Sequence, residues 1–109
     1  MEIIDYTTTG GKNVIKSYLH ELPQAERTTG YQIRHAIIKD GEKALQTLNT
    51  RQLKGKLWEI KFSDNRIMYV LKDSDKIYFL HACKKQKNKA EKLHLNKAIQ
   101  RAKELGLTL

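Results

Sequence analysis

The chain has 109 residues, with 21 Lys/Arg against 12 Asp/Glu and a formal net charge of +9. That length bounds one domain, here residues 1–109, with one core of ordinary size. No apolar run approaches the roughly 20 residues of a bilayer span, and a lone cysteine, Cys83, excludes an internal disulfide framework.

In chain order, MEIIDYTTTGG lacks the basic n-region and long apolar h-region of a secretory signal, so a cytoplasmic domain without membrane association is expected. Residues 2–6 read as a short strand, and TTTGGK as turn and helix start. Val14, Ile15, Tyr18, Leu19 and Leu22 keep helical spacing. Pro23 closes that helix and suits the first turn of the next, which runs to Gly41 with Thr28-Thr29-Gly30 as its weak middle. EKALQTLN adds a turn or two.

From Leu57 the period changes to two. LWEIKFS puts Trp58, Ile60 and Phe62 on one face and Glu59 and Lys61 on the other. Asp64-Asn65 reads as a two-residue hairpin turn, RIMYVL as the partner strand, DSD as the next turn, and KIYFLHAC as a central strand. A closing helix over Ala90–Leu105 shows the stripe Leu95, Ala98, Ile99, Ala102 and Leu105, with Gly106 as terminator. The predicted fold class is α+β: a small antiparallel-rich sheet of an N-terminal strand plus a three-strand meander, with a helical hairpin and a C-terminal helix packed on one sheet face.

Charge is segregated along this order. Residues 1–50 hold 6 Lys/Arg and 6 Asp/Glu, while residues 51–109 hold 15 against 6. Such asymmetry suits a polyanion-binding surface, nucleic acid first; a solvated basic face, a membrane or an acidic protein are the alternatives.

The second half resembles the RelE/ParE toxin superfamily, most closely its HigB-like, phage-derived branch. Leu57-Trp58-Glu59 followed by a basic residue, Arg66-Ile67-Met68-Tyr69 across the hairpin, and Leu80-His81-Ala82 leading into Lys84-Lys85 before a basic helix carry the likeness. It covers residues 53–105, and the helical hairpin before it fits the family order. The chain departs from the branch in having Lys61 where arginine is more frequent, Cys83 where an aromatic is usual, and no proline after the lysine run. The resemblance implies a RelE-like fold and a type II toxin: a ribosome-dependent mRNA endonuclease needing no metal or cofactor. It implies as partners the ribosome with its mRNA and a cognate helix-turn-helix, HigA-like antitoxin, through which alone it meets operator DNA.

RNA cleavage of this kind needs deprotonation of a 2′-hydroxyl, stabilisation of a phosphorane carrying extra negative charge, and protonation of the leaving oxygen. Alternation sets Glu59 and Lys61 on one open face. With a two-residue turn, Arg66 pairs with Ser63 and joins them, while Lys84 and Lys85 sit at the rim. Lys61, Arg66 and Lys84 are the expected phosphate-facing groups, Glu59 a general-base candidate, and Lys54, Lys56, Lys85, Lys87 and Lys89 the RNA contacts. Each has a bland alternative: a salt bridge from Arg66 to Glu59, or solvated lysines guarding an apolar strand. Tyr69 is attractive as an acid/base by resemblance, but the two-residue turn places it on the core side with Ile67 and Leu71. A one-residue register slip would bring it outward.

His81, alternating with Phe79 and Cys83, reads as a hydrogen-bonded core histidine. His20, His35 and His94 read as incidental, Cys83 and Trp58 as packing. Four dispersed histidines and one cysteine form no metal-ligand pattern. The rival readings are a non-catalytic, ParE-like inhibitor of DNA gyrase and a plain RNA-binding module.

Overall fold

A computed structural model describes residues 1–109. The elements are β1 (Glu2–Asp5), α1 (Val14–His20), α2 (Gln24–Asp40), α3 (Glu42–Thr47), β2 (Asn49–Lys54), β3 (Leu57–Phe62), β4 (Asn65–Lys72), β5 (Lys76–Lys84) and α4 (Asn88–Glu104). The strands make one mixed sheet in the order β1-β5-β4-β3-β2, with β1 parallel to β5 and the remaining pairs antiparallel. This is the expected α+β class in a RelE-like arrangement. No helix is long and apolar enough to cross a membrane.

Local chemistry explains the helix boundaries. The Asn13 side chain accepts from the backbone N–H groups of Ile15 and Lys16 at 3.1 and 2.9 Å, which caps α1. Pro23 stands at the N-cap of α2. That helix runs unbroken through Thr28-Thr29-Gly30, because Gly30 lies against α1: a Cβ there would sit 2.6 Å from Leu19 Cδ2. The supposedly weak middle is a close helix–helix approach. At the far end Gly106 takes φ 69°. Gly106 N–H bonds the Lys103 carbonyl at 3.0 Å and Leu107 N–H the Ala102 carbonyl at 2.9 Å, a Schellman ending of α4.

The sheet is covered on both faces, which corrects the expectation that all helices share one. On one side Ile15 and Leu19 of α1 and Ile33 and Ile37 of α2 pack on Ile60, Phe62, Ile67, Ile77 and Phe79. On the other, Ala98 and Ala102 of α4 and Leu107 beyond it pack on Leu57, Met68, Val70, Leu80 and Cys83. Each fully buried aliphatic side chain contributes about 1.5–3 kcal/mol. Small residues on α4 let the helix lie close to the strands. Leu105, expected in its stripe, is exposed, and Leu107 takes the buried place after the glycine turn.

Two further expectations are corrected. Residues 49–54 form an edge strand, so Lys54 ends β2 rather than lying in a loop, and Gly55 (φ 56°) begins the turn into β3. The hairpin turn is Ser63-Asp64, since Phe62 pairs with Asn65 and Lys61 with Arg66. Ser63 takes φ 48°, the positive value that a primed two-residue turn requires at its first central position. The pairing differs from the predicted one by an even number of residues. Arg66 therefore stays on the face of Lys61 and Glu59, opposite Lys61 instead of Ser63.

Candidate functional site

Where α4 leaves the sheet, a cleft of about 230 Å³ opens between the tip of the β3–β4 hairpin, the end of β5, the start of α4 and β2. It is lined by the cations Arg51, Lys61, Arg66, Lys84, Lys85 and Lys87 and by only two carboxylates, Glu59 and Glu91. Strand register explains why: Lys61 opposes Arg66, which opposes Cys83, so three strands deliver side chains to one spot.

Arg66 is the best-placed cation. Its Nη1 donates to the carbonyls of Asn65 at 2.8 Å and Ser63 at 3.3 Å, which fixes the guanidinium and leaves Nε and Nη2 without a protein partner. The alternative reading of Arg66 as a partner of Glu59 fails. Glu59, with its side chain 2% exposed, pairs instead with Arg51, whose Nε lies 2.9 Å from Glu59 Oε2. That approach is off-line for a hydrogen bond, so Oε2 has charge compensation but no directed donor. Arg51 also bonds Glu91 at 2.8 Å and so ties β2 to α4 across the cleft. Lys61 makes no ion pair.

The remaining predicted residues divide. Lys85 and Lys87 reach the cleft; Lys89, in the first turn of α4, does not line it. Lys84 lines its edge, but its ammonium turns away to Asn65 Oδ1 at 2.9 Å and Glu26 at 3.5 Å. Lys54 and Lys56 stand at the opposite end of the β2–β3 hairpin from Lys61, and Lys56 borders a separate groove with Trp58 and Tyr69. Strand rise alone separates Lys56 from Lys61 by about 16 Å.

Tyr69 belongs to the core face with Ile67 and Phe79, 4% exposed, and burial pushes its hydroxyl up to about 12. The β3–β4 register sets Tyr69 opposite Trp58 on the core side, and the sheet stands between it and the cations. For the RNA cleavage that the resemblance implies, Tyr69→Phe is expected to change the rate by less than about threefold, where loss of a true acid or base costs about 10²- to 10⁴-fold. Initial rates on programmed ribosomes check this.

The histidines also depart from expectation. The β4–β5 ladder pairs Met68 with His81 but Tyr69 with Phe79, so Leu80 is an extra residue on β5. That bulge breaks the alternation. Phe79 faces the helical hairpin, whereas His81 meets His94 of α4, Nε2 to Nδ1 at 2.7 Å. Ligating atoms of His81, Cys83 and His94 lie within 4.8 Å of one another, so the histidines and cysteine are not all dispersed. Burial raises the Cys83 thiol to about 11, as the nearby Glu59 charge also does.

Desolvation, with Arg101, His94 and Lys97 close by, lowers His81 to about 4. An unfolded histidine titrates near 6.5, so below that pH the unfolded chain takes up a proton that folded His81 does not. The resulting stability is complete above about pH 6.5 and is lost as pH falls toward 4. Denaturation midpoints measured from pH 7 to 4 are expected to fall further in the wild type than in His81→Gln. Parallel curves would contradict the assignment.

Sequence reasoning missed Arg51, Glu91 and His94 as cleft residues. Arg51 carried no signal without β2, and the two α4 residues required knowing which face that helix covers.

The fold and its cleft define a small α+β protein with a cluster of cations gathered at one end of its sheet. A family model described as phage-derived protein Gp49-like (DUF891) matches residues 17–103, and the chain belongs to that family. The family is one of RelE-like toxins of type II toxin–antitoxin systems. A search of curated proteins finds no match.

Proposed function

We propose that the protein is an mRNA-cleaving, ribosome-dependent toxin of the HigB-like kind, held inactive by a cognate antitoxin. The observation that carries this reading is the cleft itself: Lys61, Arg66, Lys85 and Lys87 converge on one open volume beside a buried carboxylate. Arg66 and Lys61 stabilise the charge that develops on the phosphorane, a role that fixed cations fill without reorganisation. Lys85 and Lys87 hold the flanking backbone. The Glu59 carboxylate, which lines the cleft, accepts the proton of the 2′-hydroxyl. A basic cleft also suits an acidic antitoxin segment, which blocks ribosome entry and binds less tightly as salt rises.

Mapping mRNA 5′ ends after induction tests the reading. New ends inside translated frames are expected. Intact transcripts with trapped gyrase–DNA complexes would establish the ParE-like alternative instead.

A further inference from the structure

Behind the cleft wall runs a chain of polar side chains that the cleavage chemistry above does not use. The Arg101 guanidinium lies 4.6 Å over the Tyr6 ring. Its Nη1 donates to the Leu80 carbonyl at 3.0 Å and stands 3.0 Å from His81 Nδ1. His81 Nε2 is 2.7 Å from His94 Nδ1, and the two rings are inclined by 28° with centroids 4.9 Å apart. His94 lines the cleft and His81 does not.

One donor-only residue fixes every proton in this chain. Arginine has no acceptor and keeps its protons. His81 Nδ1 must therefore accept, so its ring proton sits on Nε2. That proton is donated to His94 Nδ1, which must also accept, leaving the single proton of His94 on Nε2. Charging either ring would set two N–H groups head to head across 3.0 or 2.7 Å.

We propose that Arg101 and His81 lock His94 as a neutral imidazole whose Nε2–H donates to a phosphate oxygen of RNA bound in the cleft. The proposal rests on the nuclease reading for the identity of the ligand. His94 adds a directed, uncharged donor to a wall of flexible lysines, which gives the backbone orientation as well as attraction. It is a binding residue, not an acid or base, because releasing its proton would leave an imidazolate that Arg101 cannot reload. Arg101 and His81 are positioning residues. Around the pair stand Glu91 and Lys97 on α4, Arg51 on β2, and Cys83 on β5. Glu91 is held by Arg51, so it is not free to draw a proton onto His94.

The same three ligating groups could be read as a two-histidine, one-cysteine metal site. Metal at His81 Nε2 would force its proton onto Nδ1, against the Arg101 donor. The hydrogen-bonded chain is the arrangement that leaves no such clash.

Long-range proton–nitrogen correlation spectra of the whole protein at pH 7 test the lock directly. Both His81 and His94 are expected as neutral Nε2–H tautomers. Addition of an uncleavable 2′-O-methyl RNA oligonucleotide should shift the His94 Nε2 signals. Loss of one hydrogen bond to a charged acceptor weakens binding about tenfold or more, so His94→Ala should bind that oligonucleotide at least about tenfold less tightly. His94→Gln, which keeps a donor, should recover most of it. An imidazolium or Nδ1–H form of His94 at pH 7 would overturn the proposal, as would His94→Ala binding with wild-type affinity. Stoichiometric zinc binding lost in Cys83→Ser would also overturn it, since the metal would occupy the nitrogens that the chain uses. None of these readouts needs turnover. A protein that engages the oligonucleotide through His94 yet cuts no mRNA would end the nuclease reading and uphold the donor.

Discussion

With the cleft acting as proposed, Arg66→Ala is expected to lower ribosome-dependent mRNA cleavage by about 10²- to 10³-fold, the usual loss when one preorganised donor to a developing oxyanion is removed. The geometry concentrates the effect on this residue. The Lys61 and Lys85 ammoniums are single charges on long stems, whereas Arg66 is clamped by two backbone carbonyls with its remaining donors free. A fork fixed in this way meets a phosphorane without losing further side-chain entropy. Arg66→Lys keeps the charge but not the fork, so its activity should lie between wild type and alanine. Because Arg66 is partly exposed and forms no ion pair, the alanine variant should stay within about 1 kcal/mol of wild-type stability. Single-turnover cleavage on programmed ribosomes, with urea denaturation alongside, separates the two effects. Growth arrest that persists in a folded Arg66→Ala protein would favour a binding-only toxin.

The meander was legible in the sequence because period two is a strong signal wherever one face is buried. Even its misplaced turn left the faces right. Asp64-Asn65 has turn chemistry, but Asn65 is fully buried and serves as a junction. It accepts from Tyr18 at 2.6 Å and Lys84 at 2.9 Å and donates to Glu26 at 2.7 Å. An asparagine in demand for its side chain looks, in one dimension, like an asparagine in demand for its backbone. Residues 49–54 gave no sign of β2 because an edge strand keeps polar side chains on its open side.

The site was half legible for related reasons. Lys61, Arg66, Lys85 and Lys87 follow from alternation plus a run of lysines. The contributions of Arg51, Glu91 and His94 depend on which elements lie against which, and that is decided by packing. His81 was misplaced by one bulged residue, Leu80, which no local pattern announces. Bulges next to sites re-aim side chains; here the bulge aims a histidine at α4 instead of at the main core.

The larger stability effect is expected far from the cleft, at Asp5. Arg34 Nη1 and Nη2 each bond one Asp5 oxygen at 2.8 Å, with side chains 9% and 6% exposed. Asn13 Nδ2 bonds the same carboxylate at 3.0 Å while its carbonyl caps α1. Asp5 thus links β1, α1 and α2 through one carboxylate. Asp5→Ala leaves a guanidinium buried against Phe79 with no counter-charge, and breaking a buried pair from one side costs about 3–5 kcal/mol. Domains of this size are stable by about 5–15 kcal/mol, so one substitution removes about a fifth of the total at the least. Asp5→Ala with Arg34→Met should be far less damaging than the two single changes added together, since the double variant buries no unpaired charge. A double-mutant cycle by urea denaturation measures the coupling. Additive costs would mean that the pair is decoration on a junction held by something else.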